Sequence, residues 1–212
     1  MLSNTMPKDH KIVIIAKDAV EGRVKTRLSP CLSPQKARDI YRELALHICS
    51  RVVETKIPVE ISFQGDMNSE FAKELQAMGC ILFQQPIAPL GDIIFHALHR
   101  ADRVMALGMD SPLVSPTEII QVMQQQETVF GPAEDGGYWM IAANKPPQCI
   151  FQNISWSTNL VLEQSIARCK EADIVYSLAQ THYDIDTPQD LNRLLNDPLL
   201  PHSLRTRIQQ YA

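Results

Sequence analysis

A short apolar run that ends at a carboxylate is the feature of this sequence most suggestive of chemistry. The run Val104–Met109 contains Gly108, and Asp110 and Pro112 follow it closely. Such a run is typical of a buried parallel strand; glycine permits close approach of the backbone, and proline ends strand pairing. Ligands of open α/β sheets bind outside the carboxyl ends of the strands. We therefore expect Asp110 either to offer an oxygen to a bound metal ion or to cap a turn.

A second candidate site is the basic loop that follows the first predicted strand, Lys11–Ala16. Arginine can form forked hydrogen bonds with a di- or triphosphate and lysine contributes a point charge, although a loop of this kind can also lie in solvent. The loop lacks the glycine patterns of P-loop nucleotidases and of dinucleotide-binding oxidoreductases. Its cations, grouped around Gly22, are Lys17, Arg23, Lys25 and Arg27.

A third candidate is the segment Glu134–Tyr138, in which two acids are followed by two glycines and an aromatic residue. Asp-Gly between apolar runs predicts a hairpin turn that needs no function. The same segment could bind a sugar, since glycine permits close approach and a carboxylate accepts hydroxyl hydrogen bonds or acts as a base. Both interpretations stay open here.

Two further acids precede a predicted helix near the end of the chain. Asp184 and Asp186 share one side of an extended segment, and Asp186 or Thr187 could serve only to cap that helix. If the segment lies near Asp110, the carboxylates would complete an oxygen site for Mg²⁺ or Mn²⁺. Trp156 precedes another helix and would line a ligand cleft, unless its segment only supplies Ser157 or Thr158 as a helix cap.

The elements that must position these residues alternate along the chain. Alternation of strands and helices predicts an α/β fold, a three-layer α/β/α arrangement around a mostly parallel mixed sheet. After Gln126 the regular alternation of strands and helices stops and predicted strands follow one another directly, which indicates an antiparallel edge of the sheet. We expect one domain over 1–212, with a core at about 11–195 and a C-terminal helical tail at 196–212. The predicted strands are Lys11–Ala16, Val59–Phe63, Ile81–Phe83, Val104–Met109, Val129–Phe130, Tyr138–Ala142, Ile174–Ser177 and Thr181–Asp184.

The predicted helices are marked by their capping residues. Serine or threonine followed by proline gives an N-cap and a first helical residue, and an acid three residues after the cap completes a capping box. The predicted helices begin at Ser33 (to about Thr55), Asn68 (to Met78), Gly91 (to Ala101), Ser115, Asn159 (to Glu171) and Thr187 (to Leu195), with a short last one framed by Pro198 and Pro201.

Composition narrows the class of protein. With 212 residues, 45% hydrophobic and 21% charged, the chain is typical of a soluble globular protein. A net charge of −4 argues against nucleic acid as a partner. The 5 cysteines are scattered and predict free thiols in a reducing compartment. The polar segment Met1–His10 has no apolar signal region and no later run is long enough to span a membrane, so we expect a cytoplasmic protein.

Taken together, the order of these motifs resembles that of one bacterial family. The chain is similar to small GT-A-type glycosyltransferases of the nucleotide-diphospho-sugar transferase superfamily, which are associated with radical-SAM gene clusters or arsenosugar synthesis. It is more distantly similar to molybdenum-cofactor and phospholactate nucleotidyltransferases. The resemblance spans about residues 11–195, and Val24–Leu28 together with Asp135–Tyr138 carries most of it. It implies the GT-A fold.

The resemblance also implies roles for individual residues. Donor phosphates and nucleotide would contact Lys17, Arg23, Lys25, Arg27 and Asp92, and a divalent metal would be held by Asp110 and Asp186 with Asp184. The sugar or acceptor would lie against Asp135, Gly136, Gly137, Tyr138 and Trp156. One departure stands out, since this chain has Ile93–His96 where the family has Leu-Gly-x-Arg.

These expectations lead to a metal-dependent glycosyltransferase that uses a nucleotide-diphosphate sugar and a small-molecule acceptor. Mg²⁺ or Mn²⁺ and the basic loop would neutralise the leaving diphosphate, and Asp135 or Glu134 would act as the base for the acceptor hydroxyl. One alternative is a nucleotidyltransferase that joins an NTP to a phosphorylated acceptor and releases pyrophosphate. Another is a non-catalytic protein that binds nucleotide sugars.

Overall fold

The computed structural model describes residues 9–28 and 31–212, so most of the polar segment Met1–His10 lies outside the described residues. The strands are β1 (His10–Lys17), β2 (Val59–Gln64), β3 (Ile81–Gln84), β4 (Arg103–Leu107), β5 (Thr128–Pro132), β6 (Tyr138–Ala143) and β7 (Tyr176–Leu178). The helices are α1 (Pro34–Glu54), α2 (Glu70–Ala77), α3 (Leu90–Leu98), α4 (Pro116–Met123), α5 (Val161–Glu171), α6 (Pro188–Asn196) and α7 (His202–Gln209).

The strands form one seven-stranded sheet in the order β3-β2-β1-β4-β6-β5-β7. Strand β6 runs antiparallel to both of its neighbours, and the remaining pairs are parallel. The mixed, mostly parallel sheet is as predicted, but the expectation of an antiparallel edge is wrong. The β5–β6 hairpin inserts β6 next to β4, so the antiparallel strand lies inside the sheet and the parallel β7 forms the edge.

The prediction of a strand over Thr181–Asp184 is also wrong. This segment makes only an isolated bridge, between Ala133 and His182. Immediately afterwards the amide of Ile185 donates to the carbonyl of Asp110, 3.0 Å away. The backbone therefore leaves the sheet edge and crosses to the end of β4, which brings the two acidic segments together.

Helices cover both faces of the sheet. Alternate side chains of β1 enter different apolar cores, Ile12 and Ile14 on one face and Val13 on the other. A third cluster joins α1 to the C-terminal helices through Ile40, Ile185 and other aliphatic residues. This arrangement confirms the predicted three-layer α/β/α fold. No helix within the described residues is long and apolar enough to cross a membrane.

The predicted helix starts are largely confirmed. Ser33 and Ser115 accept hydrogen bonds from backbone amides of the first turns of α1 and α4, and Thr187 with Asp190 forms a complete capping box on α6. Neither Ser157 nor Thr158 caps α5, which corrects the simpler interpretation of that segment. The amide of Leu162 in the first turn of α5 instead donates to the carbonyl of Gly136, at 3.0 Å.

Candidate functional site

A cleft of about 940 Å³ opens at the carboxyl ends of β1 and β4. Clefts of about 300–1,000 Å³ are typical of sites for small molecules and cofactors. Its walls come from the basic loop after β1, the segment after β4, the hairpin turn before β6, and the segments that precede α3 and α5. The position is the one where ligands bind in open α/β sheets.

The basic loop is anchored by two apolar residues. Val24 and Leu28 are buried in different cores, which holds the loop against the end of the sheet. Lys25 lies between them with φ of 46°, in the left-handed region that a residue with a side chain seldom adopts. This turn separates Lys25, whose side chain is only 4% exposed, from the exposed Arg23 and Arg27.

The ammonium group of Lys25 lies between two carboxylates from distant parts of the chain. It donates to Asp110 Oδ1 in a short hydrogen bond and to Asp186 Oδ1 at 3.2 Å. Burial alone would lower the pKa of Lys25, but the charges of Asp110 and Asp186 outweigh it and raise the pKa above its ordinary value. The side chain of Lys25 is therefore positively charged, and it lies at the floor of the cleft.

The other cations of the loop are more exposed. The guanidinium of Arg27 donates to Asp186 Oδ2 at 3.3 Å, and its side chain is 73% exposed. Lys17 ends β1, and the hydroxyl of Tyr41 bonds to both its amide and its carbonyl, at 3.1 and 2.8 Å. Tyr41 was not expected at the site; it lies on the buried face of α1, where the sequence shows only helical periodicity. Lys17, Arg23, Lys25 and Arg27 all line the cleft.

Asp184 lies deeper than the other acids. Its carboxylate accepts a hydrogen bond from the hydroxyl of Ser111, which is itself buried. Burial raises the pKa of Asp184 from 3.8 to about 6, and the negative charges of Asp110 and Asp135 act in the same direction. Asp184 thus contacts Ser111, whereas Asp186 contacts the basic loop.

The two acids of the hairpin turn have different surroundings. Asp135 lines the cleft, and its Oδ1 accepts a hydrogen bond from the amide of Gly137 at 2.9 Å. Glu134 does not line the cleft; it forms a two-pronged ion pair with Arg193, which lowers the pKa of Glu134. Of the two predicted bases, only Asp135 lines the cleft.

Gly136 is required by packing. Its φ is 89°, and a Cβ there would lie 2.2 Å from the carbonyl oxygen of Asn159. The close approach holds the segment before α5 against the turn. Gly137 and Tyr138 line the cleft and Gly136 does not.

The last two predicted residues, Trp156 and Asp92, differ in their relation to the cleft. Trp156 lines the cleft, and its ring packs edge-on to Tyr138 and over Gly91, where a Cβ would lie 3.0 Å from the indole. Asp92, one residue later, does not line the cleft; it accepts a hydrogen bond from Gln148 at 3.2 Å.

Charge is distributed unevenly around the cleft. The charged residues that line it, within the described part of the chain, lie on the basic loop, on the segments that contain Asp110 and Asp186, or at Asp135. The described residues of the wall before α3 and α5 carry no charge. They include apolar and amide or hydroxyl side chains, among them Ile87, Leu90, Ile94, Trp156, Thr158 and Asn159.

The charged floor fits a divalent cation. The ammonium of Lys25 stands between Asp110 and Asp186 and marks a position that binds positive charge. Carboxylate oxygens suit Mg²⁺ or Mn²⁺, and Mg²⁺ sites commonly use one or two carboxylates plus phosphate oxygens and waters. No group of three or more His, Cys, Asp or Glu within residues 9–28 and 31–212 is arranged to hold a metal alone. Asp110 and Asp186 would therefore share the ion with a ligand.

The sequence matches the profile of the family described as uncharacterized protein conserved in bacteria (DUF2064) over residues 49–158. The matched residues include β2, β4 and the turn that contains Asp135. No curated protein sequence matches the chain.

Solved structures with the same fold cover nearly the whole chain. A candidate nucleotide-diphospho-sugar transferase from Desulfovibrio desulfuricans G20 is 23% identical with a TM-score of 0.83, covering 95% of this chain and 97% of that one. A CMP:2-keto-3-deoxy-manno-octonic acid synthetase complexed with CTP is 13% identical with a TM-score of 0.55, over 96% and 99%.

A third similar structure is glucosyl-3-phosphoglycerate synthase from Mycobacterium tuberculosis, in complex with Mn²⁺, UDP-glucose and phosphoglyceric acid. It is 10% identical with a TM-score of 0.51, over 94% of this chain and 79% of that one. These similarities show that the chain has the GT-A-like fold.

Proposed function

The chain belongs to the DUF2064 family, and on that premise we propose that it is a glycosyltransferase that uses a nucleotide-diphosphate sugar and a divalent cation. The proposal names a donor with a charged diphosphate and an uncharged sugar. The acceptor is a small molecule with a hydroxyl group.

The uneven charge of the cleft carries this proposal. Cations of the basic loop lie on one side, where a diphosphate would be neutralised, and the wall around Trp156 is uncharged. A sugar or a neutral acceptor can pack against such a wall and hydrogen-bond to Thr158 or Asn159. Asp135 also lines the cleft, and the adjacent Gly136 packs against the backbone of Asn159 on the uncharged wall.

Different residues of the cleft would bind the donor phosphates, accept the acceptor's proton and hold the metal ion. Arg27 and Arg23 bind donor phosphate oxygens, since a guanidinium can hold two of them at once. Asp135, oriented by the amide of Gly137, accepts the proton of the acceptor hydroxyl. Asp110 and Asp186 hold the divalent ion, which supplies positive charge to the leaving diphosphate.

The alternative function is nucleotidyl transfer, and one observation favours it. The concentration of cations in the basic loop would also suit a triphosphate. A phosphorylated acceptor, however, needs cations of its own, and the described part of the opposite wall has none. The fold is compatible with either reaction, because one similar structure contains CTP and another contains UDP-glucose with Mn²⁺.

A thermal-shift panel followed by a product assay tests the proposal. Nucleoside diphosphates, nucleotide sugars and NTPs are compared with and without Mn²⁺, because a ligand raises the melting temperature according to its affinity for the folded state. We expect one nucleoside diphosphate and its sugar derivative to stabilise the protein similarly, with no NTP consumed. Release of pyrophosphate from an NTP in the presence of a phosphorylated acceptor, lost in Asp110→Asn, would establish the alternative instead.

A further inference from the structure

Lys25 occupies the position between the two carboxylates that a divalent ion would need. Its Nζ bonds to an oxygen of Asp110 and of Asp186, and its side chain is 4% exposed. The carboxylates themselves are 46% and 41% exposed and face the cleft. An ion that approaches from the cleft therefore meets two carboxylates that already share a cation.

An ammonium group and a divalent ion cannot share this position. Lys25 already binds Oδ1 of both carboxylates, and a divalent ion bound to the same two carboxylates would lie close enough for the two positive charges to repel each other. Metal binding at Asp110 and Asp186 thus requires the lysine side chain to leave. When the metal binds without a diphosphate, the displaced ammonium of Lys25 loses its carboxylate partners and has no other anion to bind.

The backbone of the loop is anchored on both sides of Lys25. Val24 and Leu28 are buried on either side, and the amide of Leu28 donates to the carbonyl of Lys25 at 2.9 Å. Lysine has a flexible four-carbon stem, so its ammonium can swing while the backbone stays in place. The exposed neighbours Arg23 and Arg27 show that the cleft side of this loop is where an anionic ligand would lie.

We propose that Lys25 is an exchangeable cation: it holds the metal position in the free protein and moves onto the donor diphosphate when metal and nucleotide bind together. The inference rests on the proposed function, since it needs a diphosphate ligand and a divalent ion. In the free protein the ammonium keeps Asp110 and Asp186 in place and neutralises part of their charge. Metal and diphosphate then bind cooperatively, because each makes the displacement of Lys25 easier for the other.

The test measures Mn²⁺ binding by calorimetry and by the paramagnetic resonance of free Mn²⁺, without and with inorganic pyrophosphate as the diphosphate probe. In the unmutated protein, we expect pyrophosphate to tighten Mn²⁺ binding by about tenfold or more, after correction for Mn²⁺ bound by pyrophosphate in solution. Lys25→Met removes the charge and keeps the length. It should bind Mn²⁺ alone about tenfold more tightly than the unmutated protein and lose the part of the cooperativity that comes from the lysine, while the part from direct contact between Mn²⁺ and pyrophosphate remains.

Lys145→Met is the matched control. Lys145 forms an exposed ion pair with Asp102 and does not line the cleft, so its loss should change Mn²⁺ affinity by no more than about twofold. Circular dichroism and melting temperature establish that each variant is folded. If Lys25→Met does not fold, Lys25→Gln, which also removes the charge and keeps a polar end group, is measured in its place.

Two results would overturn the exchange. One is equal Mn²⁺ affinity in Lys25→Met and the unmutated protein; the other is Mn²⁺ binding to the unmutated protein that pyrophosphate does not strengthen. Either could occur while nucleotide sugars still bind, in which case the proposed function stands. A protein that binds neither Mn²⁺ nor any nucleotide would contradict the proposed function itself.

Discussion

The carboxylate of Glu134 is bound by the guanidinium of Arg193 through two hydrogen bonds, at 2.6 and 2.8 Å. Arg193 lies on α6 and also stacks over the ring of Tyr183, 3.7 Å from its centroid. This pair turns Glu134 away from the cleft and leaves the neighbouring Asp135 to face it. Two adjacent acids in one turn therefore have different surroundings.

The first prediction concerns these two acids. Asp135→Asn should lower the rate of sugar transfer by about 10²–10⁴-fold, the usual contribution of a general base. Glu134→Gln should leave the rate nearly unchanged and cost less than about 1 kcal/mol of stability, because its ion pair with Arg193 is exposed. Consumption of the nucleotide sugar, followed by chromatography, measures the rates. Equal loss of activity in both variants would place the base elsewhere.

The second prediction concerns two glycines with positive φ. Gly22 has φ of 72°, and a Cβ added there would meet nothing within 4 Å, so Gly22→Ala should cost only the backbone penalty of about 1–2 kcal/mol. At Gly136 the added methyl would also strike the carbonyl of Asn159, so Gly136→Ala should cost about 3 kcal/mol or more. Urea unfolding measures both changes. A smaller loss for Gly136→Ala than for Gly22→Ala would mean that the segment before α5 does not pack closely on the turn.

The third prediction concerns pH. Burial raises the pKa of Asp184 from 3.8 to about 6, so the folded state holds this proton more tightly than the unfolded state. The contribution to stability is present below about pH 4 and is lost as the pH rises to about 6, amounting to about 3 kcal/mol. Asp184→Asn cannot ionise and keeps an oxygen for the hydroxyl of Ser111. In the presence of a chelator, we expect it to be more stable than the unmutated protein at pH 7.5 but not at pH 4.

Urea unfolding at the two pH values gives the difference directly. Comparing the variant with the unmutated protein at each pH removes the effect of the other titrating groups. A stability difference that does not change with pH would show that Asp184 titrates normally in the folded protein.

The fourth prediction concerns Arg103, which is fully buried at the start of β4, at the end of that strand opposite the cleft. Its guanidinium donates to the carbonyls of Val122 and Glu127 and to the side-chain oxygen of Asn144, at 3.0–3.2 Å. Burial lowers the pKa of Arg103 to about 10. Arg103→Met would leave these acceptors without a donor and should cost about 3 kcal/mol in the free energy of unfolding.

Arg38 provides the control for this change. It pairs with the adjacent Asp39 at the surface of α1, so Arg38→Met should change stability by less than about 1 kcal/mol. Chemical denaturation measures both variants. Similar values for the two arginines would mean that the carbonyls around Arg103 find other donors.

The local pattern of residues in the sequence predicted most of the helices and strands and the layered arrangement of the fold. The alternation of apolar runs and capped helices indicated the α/β layers, and the Asp-Gly pair indicated the hairpin before β6. Asp110 was expected at the end of a strand because glycine and proline mark that end. These features depend on residues within a few positions of one another, and backbone geometry and capping act over the same range.

The tertiary structure decided how those pieces combine. Lys25 meets Asp110 and Asp186 across 85 and 161 residues, and no local spacing indicates that its ammonium rather than solvent lies between them. The insertion of β6 beside β4 and the crossing of the Ile185 segment to Asp110 are likewise long-range pairings. Such contacts follow from which apolar faces and charges pack best in the whole molecule, so the partner of each charged side chain is determined only once the chain has folded.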